Sequence, residues 1–158
     1  MESTEQQKVR HKTFTYQTGL VWTNGRTGTL SSEGKPSFQV ASPPEFKGEA
    51  GVWTPEDLFV GAVEICHMTT FLSFAGRRQM HLVSYRSEAT GTLEFIDGAY
   101  RFTRIVLTPT IGVNQQTRKE EVHALLHEAH RHCIVSNSIM TIVEINPTIE
   151  IHHAVPIP

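Results

Sequence analysis

The chain has 158 residues, 39% hydrophobic and 19% charged, with a formal net charge of −2, which is enough length for one domain with a real core and too little charge of either sign to favour nucleic acid or an acidic membrane surface. No apolar run reaches the roughly 20 residues of a membrane span, and residues 1–11, opening Met1-Glu2-Ser3, lack the basic start and apolar middle of a secretory leader, so a cytoplasmic protein with a flexible N-terminal segment is expected. Its two cysteines, Cys66 and Cys133, are too few for a secreted disulfide scaffold and in a reducing compartment point to chemistry.

Taken in chain order, residues 12–24 alternate with period two, placing Phe14, Tyr16, Thr18, Leu20 and Trp22 on one side of a pleat, as in a first strand. Asn24-Gly25-Arg26-Thr27-Gly28 is a turn sequence, because Asn and Gly accept the positive φ of tight hairpins. Arg26 is thereby expected on a hairpin tip. A second strand follows through Leu30 and a third through Phe38 and Val40, ended by Pro43-Pro44, since proline cannot donate to a ladder.

At Thr54-Pro55-Glu56-Asp57 the pattern switches to helix. Thr54 suits the N-cap, Pro55 the first helical position and the two acids the positive end of the dipole. Residues 58–75 are apolar almost all round, which predicts a helix buried on most sides. Gly76 and Arg77-Arg78 are its C-terminal signals.

Two further strands are expected over residues 82–95 and 101–113, joined at Asp97-Gly98, the strongest hairpin cue in the chain. Thr117-Arg118-Lys119-Glu120 has the form of a capping box. The helix it opens carries Val122, Leu125, Leu126, Ala129 and Cys133 on one stripe, so Cys133 is expected to face the core. Asn137 is a candidate end for this helix, and residues 139–151 read as a last strand broken at Asn146-Pro147. The resulting order, β-β-β-α-β-β-α-β, predicts an α+β domain spanning residues 1–158, with antiparallel-rich sheets around a buried central helix.

A cysteine inside a greasy helix is otherwise a small buried hydrophobe, and that reading stands beside a reactive one for both Cys66 and Cys133. For Cys66 to react it must be a thiolate, which apolar surroundings oppose. One guanidinium at about 4 Å supplies ~4 kcal/mol at an effective dielectric of 20, enough to reverse that opposition. The middle of a helix gives little dipole help, so such an arginine has to come from a loop. Glu56 precedes Cys66 by ten positions, about 15 Å along a straight helix, and would reach the thiol only if two copies of the helix packed antiparallel. An all-round apolar helix in so small a chain also suggests an oligomer, and a homodimer is expected. If the Cα atoms of the two cysteines lay within about 4.4–6.8 Å, a disulfide could form without backbone movement, and sulfenic acid made on one would be captured by the other.

Three segments carry a family resemblance over most of the chain. Thr54-Pro55-Glu56-Asp57-Leu58-Phe59 with Cys66 downstream, Ala129-His130-Arg131-His132-Cys133 followed by Ser136-Asn137, and Thr23-Asn24-Gly25-Arg26-Thr27-Gly28 together resemble the OsmC/Ohr family of osmotically induced and organic hydroperoxide resistance proteins, in its OsmC-like branch. The resemblance implies an intertwined homodimer and a thiol-dependent peroxidase acting on organic hydroperoxides. Cys66 would be the attacking thiol, Cys133 the resolving thiol, Arg26 the cation that steadies the thiolate, and Glu56 the acid that holds Arg26. It further implies no bound cofactor, and recycling by an external thiol reductant such as a small dithiol or a lipoylated protein. The chain departs from the family at Ile134-Val135, where proline often follows the resolving cysteine, and at Trp53, where a small polar residue is usual.

Two other functions fit parts of the sequence. One is a non-catalytic carrier of hydrophobic ligands, or a redox sensor, on the same fold. The other is a metal site drawn from His127, His130, His132 and Cys133, although His127-Glu128-Ala129-His130 is one residue short of the His-Glu-x-x-His zinc spacing. His130, one turn before Cys133, is a candidate for deprotonating it. His67 and Glu64 flank Cys66 in sequence but not on its face.

Overall fold

The computed structural model describes residues 11–153, so nearly all of the expected N-terminal segment lies outside the described residues. Two compact units follow one another, Met1–Thr54 and Pro55–Pro158.

In the first unit β1 (Gly19–Asn24), β2 (Thr27–Ser31) and β3 (Phe38–Ala41) form an antiparallel sheet in that order. The first strand is shorter than its alternation predicts. Gly19 pairs with Ser31, the last residue of β2, so nothing extends the ladder toward residue 12. Gly25, at φ 47°, makes the two-residue turn that places Arg26 beside it, as the Asn-Gly cue requires. Beyond β3 the prolines start a short 3-10 turn, Pro44–Phe46, and Ala41 N–H donates to Trp53 O at 2.9 Å.

The second unit runs α1 (Pro55–Arg77), β4 (Leu82–Arg86), β5 (Ala89–Ile96), β6 (Ala99–Leu107), β7 (Thr110–Asn114), α2 (Lys119–His132), β8 (Ile142–Ile145) and β9 (Thr148–His152). The fold is mixed α+β, but the strand order differs from β-β-β-α-β-β-α-β. Each long strand expected from sequence is two strands, one in the β5-β6-β8 sheet and one in the β4-β7-β9 sheet. The breaks coincide in space: Thr108 N–H donates to Glu88 O, Asn146 N–H to Leu107 O and Thr148 N–H to Pro109 O, all at 2.8 Å. Three ribbons therefore bend together where Pro109 and Pro147 interrupt the ladders. Antiparallel pairs dominate, yet β8 joins β6 and β9 joins β7 in parallel. Asp97 and Gly98, at φ 52° and 82°, close the β5–β6 hairpin as expected.

Along α1, Val63, His67, Phe71 and Ala75 form the buried stripe at four-residue spacing. Its first half packs on the β5-β6-β8 sheet, where Val63 joins Ile105 and Leu107. Contact here is close, since a Cβ on Gly91 would stand 2.5 Å from Val60 Cγ2. The second half packs Phe71 and Ala75 against Val122, Leu125, Leu126 and Ala129 of α2 and Ile111 and Val113 of β7. Burial on most sides does not hold within one chain: Ile65 is 60% exposed and Leu72 38%. Every face of the helix is apolar, and one chain supplies partners for a single stripe. By length and composition α1 also suffices to cross a membrane, which the sequence reading had excluded.

The ends of the helices correct two further expectations. Arg77 is the last residue of α1 and stacks over Phe74, with Gln79 (φ 54°) taking the left-handed conformation after it rather than Gly76. The Thr117–Glu120 capping box does not form. Thr117 Oγ1 donates to Asn114 Oδ1 at 3.1 Å, the helix starts at Lys119, and Arg118 instead chelates Glu121 with two guanidinium nitrogens.

Candidate active site

Cys66 lies midway along α1, at the level where the helix passes from one core cluster to the other, and it is half-buried. Its carbonyl accepts hydrogen bonds from Thr69 Oγ1 (3.1 Å) and Thr70 Oγ1 (2.8 Å), which lock the following turn. Cys133 is the first residue past α2 and is fully buried, as its place on the apolar stripe predicts. α1 and α2 pack against each other, both thiols are free, and Cys66 is among the groups that act on the Cys133 thiol.

Three residues beyond Cys133, Ser136 turns its hydroxyl back so that Oγ–H donates to the Cys133 sulfur at 3.2 Å. Its backbone N–H approaches the same sulfur. Burial pushes the Cys133 thiol above its ordinary range; the Ser136 donors pull it down, and neighbouring Cys66 pushes it up again. Asn137 holds this segment in place. It does not end the helix, which stops at His132, but its Nδ2 caps the Arg131 carbonyl at 3.0 Å and its N–H binds Cys133 O at 3.0 Å.

His67, next to Cys66, points into the α1–α2 contact and is fully buried, with neither ring nitrogen in a formed hydrogen bond among the described residues. Burial lowers its pKa from 6.5 to about 4; the Leu126 backbone opposes this without reaching hydrogen-bond geometry, and His130 adds to it. His130 itself is lowered, by burial and then by His127. The groups that act on the Cys133 sulfur include Ser136 and Cys66, while His130 Nδ1 is buried with no hydrogen-bond partner among the described residues. His132 is tied to Glu128 O at 2.9 Å and packs edge-on against Phe74. Among the described residues no three His, Cys, Asp or Glu side chains come together as a metal site.

Glu56, in the first turn of α1, has a buried Oε2 without a hydrogen-bond partner among the described residues. Arg26 belongs to the first unit, on the β1–β2 turn, where its exposed guanidinium donates to the Phe46 carbonyl. Cys66 and Cys133 both belong to the second unit, on helices that pack against each other. From sequence, Ser136 enters only within a family motif and His67 only as a neighbour off the face of Cys66, neither with a role of its own. The first was signalled by its place three residues after a cysteine on a core stripe, the second by its four-residue spacing from Val63 and Phe71.

Chemically, a half-buried thiol and a second thiol held by a hydroxyl are groups that oxidise to a disulfide wherever the two sulfurs come together. A model of the OsmC-like protein family matches residues 48–148, which include Glu56, Cys66 and Cys133. A search of curated proteins found no match. Among solved structures, an OsmC-like protein of unknown function from Vibrio cholerae is similar at TM-score 0.79 and 23% identity, over 85% of this chain and 99% of that one. An organic hydroperoxide resistance protein from Elizabethkingia anophelis is similar at TM-score 0.72 and 21% identity, over 90% of this chain and 100% of that one. A protein of the same description from Legionella pneumophila is similar at 0.70 and 22%, over 89% and 99%.

Proposed function

We propose that this chain, which belongs to the OsmC-like protein family, is a thiol-dependent peroxidase that reduces organic hydroperoxides to alcohols. The observation that carries the reading is that Cys66 on α1 and Cys133 at the end of α2 belong to two helices packed against each other. The Cys66 thiolate attacks the terminal oxygen of the hydroperoxide, the O–O bond breaks, and the alkoxide leaves and takes up a proton as alcohol. Cys133 then attacks the sulfenic sulfur of Cys66; the S–S bond forms, the S–O bond breaks and water leaves. An external thiol reductant, a small dithiol or a lipoylated protein, restores both thiols. No bound cofactor enters either step.

Arg26 is assigned the role of steadying the Cys66 thiolate, and Glu56 that of holding the guanidinium. The buried, unpartnered Oε2 of Glu56 supports this, because a buried carboxylate oxygen left without a donor is costly and a guanidinium is its best partner. Reduced protein mixed with equimolar cumene hydroperoxide is expected to lose both thiols and release one alcohol per disulfide. In the same experiment, Arg26→Ala should slow the first step on the order of tenfold or more, the loss of a close charge interaction, and move Cys66 alkylation to higher pH. Both thiols persisting in the unmutated protein, with the peroxide unconsumed, would overturn the reading.

The active unit is a cytoplasmic homodimer in this reading. The apolar outer face of α1, with Ile65 and Leu72 exposed, supports a second copy as its cover. Light scattering of the active protein is expected to give twice the chain mass; a monomer with full activity would exclude the dimer.

A second reading, carriage of an apolar ligand without turnover, is favoured by a groove of about 570 Å³ on the second unit lined by Phe59, Phe102, Ile139, Met140 and Ile142. Lipid that co-purifies with protein inert toward every hydroperoxide tested would select it.

A further inference from the structure

Cys133 presents a problem that its place in the fold creates. To attack Cys66 it must carry negative charge, yet it is fully buried, without water to solvate that charge, and Cys66 itself stands against ionisation. His130 Nδ1, one turn upstream, makes no hydrogen bond among the described residues, and the Cys133 N–H is spent on His130 O at 3.2 Å. The donors that do reach the sulfur belong to one residue, Ser136, whose Oγ–H stands 3.2 Å away and whose N–H approaches from the backbone.

We propose that Ser136 is the positioning residue of the resolving half-reaction, its hydroxyl and N–H holding the Cys133 sulfur as a thiolate aimed at Cys66. The proposal rests on the peroxidase reading for its setting. In the forward step Cys133 thiolate displaces hydroxide from the Cys66 sulfenic acid, and hydroxide leaves as water with the proton Cys133 gave up. On recycling, a reductant thiolate attacks the half-exposed Cys66 sulfur, and Cys133 departs as the leaving group onto the same two donors. The better leaving group leaves faster. Ser136 therefore directs the reductant to Cys66 as well as speeding resolution, and has no part in the attack on the hydroperoxide.

The segment around Ser136 is built to keep it there. Asn137 ties the turn to Arg131 and Cys133 through its side chain and N–H, and Ser138 N–H donates to Val135 O at 3.0 Å.

The test has two arms. In a Cys66→Ala background Cys133 is the sole thiol, and its ionisation is read by thiolate absorbance against pH with no peroxide present. Ser136→Ala should raise the midpoint by about one pH unit, the loss of one hydrogen bond to a charged group, and Ser136→Thr should restore it. An unchanged midpoint in Ser136→Ala overturns the proposal whether or not the chain is a peroxidase. In the two-cysteine protein, rapid mixing with cumene hydroperoxide should show Ser136→Ala forming sulfenic acid at the unmutated rate and closing the disulfide roughly tenfold more slowly, with Ser136→Thr near normal. Equal closing rates overturn it too. If no sulfenic acid forms in any variant, the peroxidase reading falls and the titration still decides what Ser136 does to Cys133.

Discussion

Replacing Cys66 with serine is expected to abolish hydroperoxide turnover, and replacing Cys133 with serine to leave a single round of it. Cys66 supplies the attacking sulfur in the proposed reaction, and a serine in the same half-buried place has a pKa far beyond reach of an arginine or a dipole. Turnover of cumene hydroperoxide with dithiothreitol should drop on the order of 10⁴-fold or more, as loss of a nucleophile does in other enzymes. Cys133→Ser keeps that nucleophile but removes the only other thiol of the chain. One equivalent of peroxide should be consumed, after which Cys66 carries one added oxygen detectable by intact mass. The two variants separate chemistry from resolution, which a general loss of fold does not. Undiminished turnover in Cys66→Ser would sink the mechanism.

The second large effect concerns stability rather than turnover. His67 is fully buried in the α1–α2 contact, both ring nitrogens unpartnered, with its pKa lowered from 6.5 to about 4 mainly by burial. His130 faces it from α2, and Leu126 offers only a backbone group. The unfolded chain takes up a proton on this ring near 6.5, while the folded chain refuses it until near 4. The unfolded state thus binds more protons across that window, and stability rises with pH there. Folded protein should hold its full stability above about pH 6.5 and lose on the order of 3 kcal/mol as pH falls to about 4, after which this group contributes no further slope. His130, lowered as well, adds in the same direction. His67→Leu preserves the volume without the charge. Urea midpoints at neutral pH and near pH 4.5 should differ much less in the variant than in the unmutated protein. Equal differences would mean that another group drives the acid sensitivity.

The sequence disclosed what depends on neighbours along the chain. Gly25 and Asp97-Gly98 turned the hairpins because positive φ is a local demand, and the α2 stripe put Cys133 in the core because a single face was apolar. The family resemblance resting on Glu56, Cys66 and Cys133 agrees with the matched family. What could not be read depends on partners distant in sequence. Ser87-Glu88 carries neither proline nor glycine, and the chain breaks there because its partner breaks at Thr108-Pro109. Thr117 has the composition of a cap, but Asn114 captures its hydroxyl first. Helical spacing that separated His67 from the face of Cys66 said nothing about what His67 would meet. An apolar pattern all round α1 likewise could not say which side a single chain would cover.

The parallel additions of β8 and β9 have a consequence for how the dithiol comes into being. Arg104 pairs with Ile142 and Thr110 with Thr148, so α2 is enclosed in a loop that closes only when the last strands dock. Closing so long a loop is slow compared with turning a hairpin. During synthesis Cys66 emerges and α1 can form well before Cys133 has anything to rest against. If the proposed reaction holds, the thiol pair is thus a late feature of the native state, waiting on the docking of the last strands.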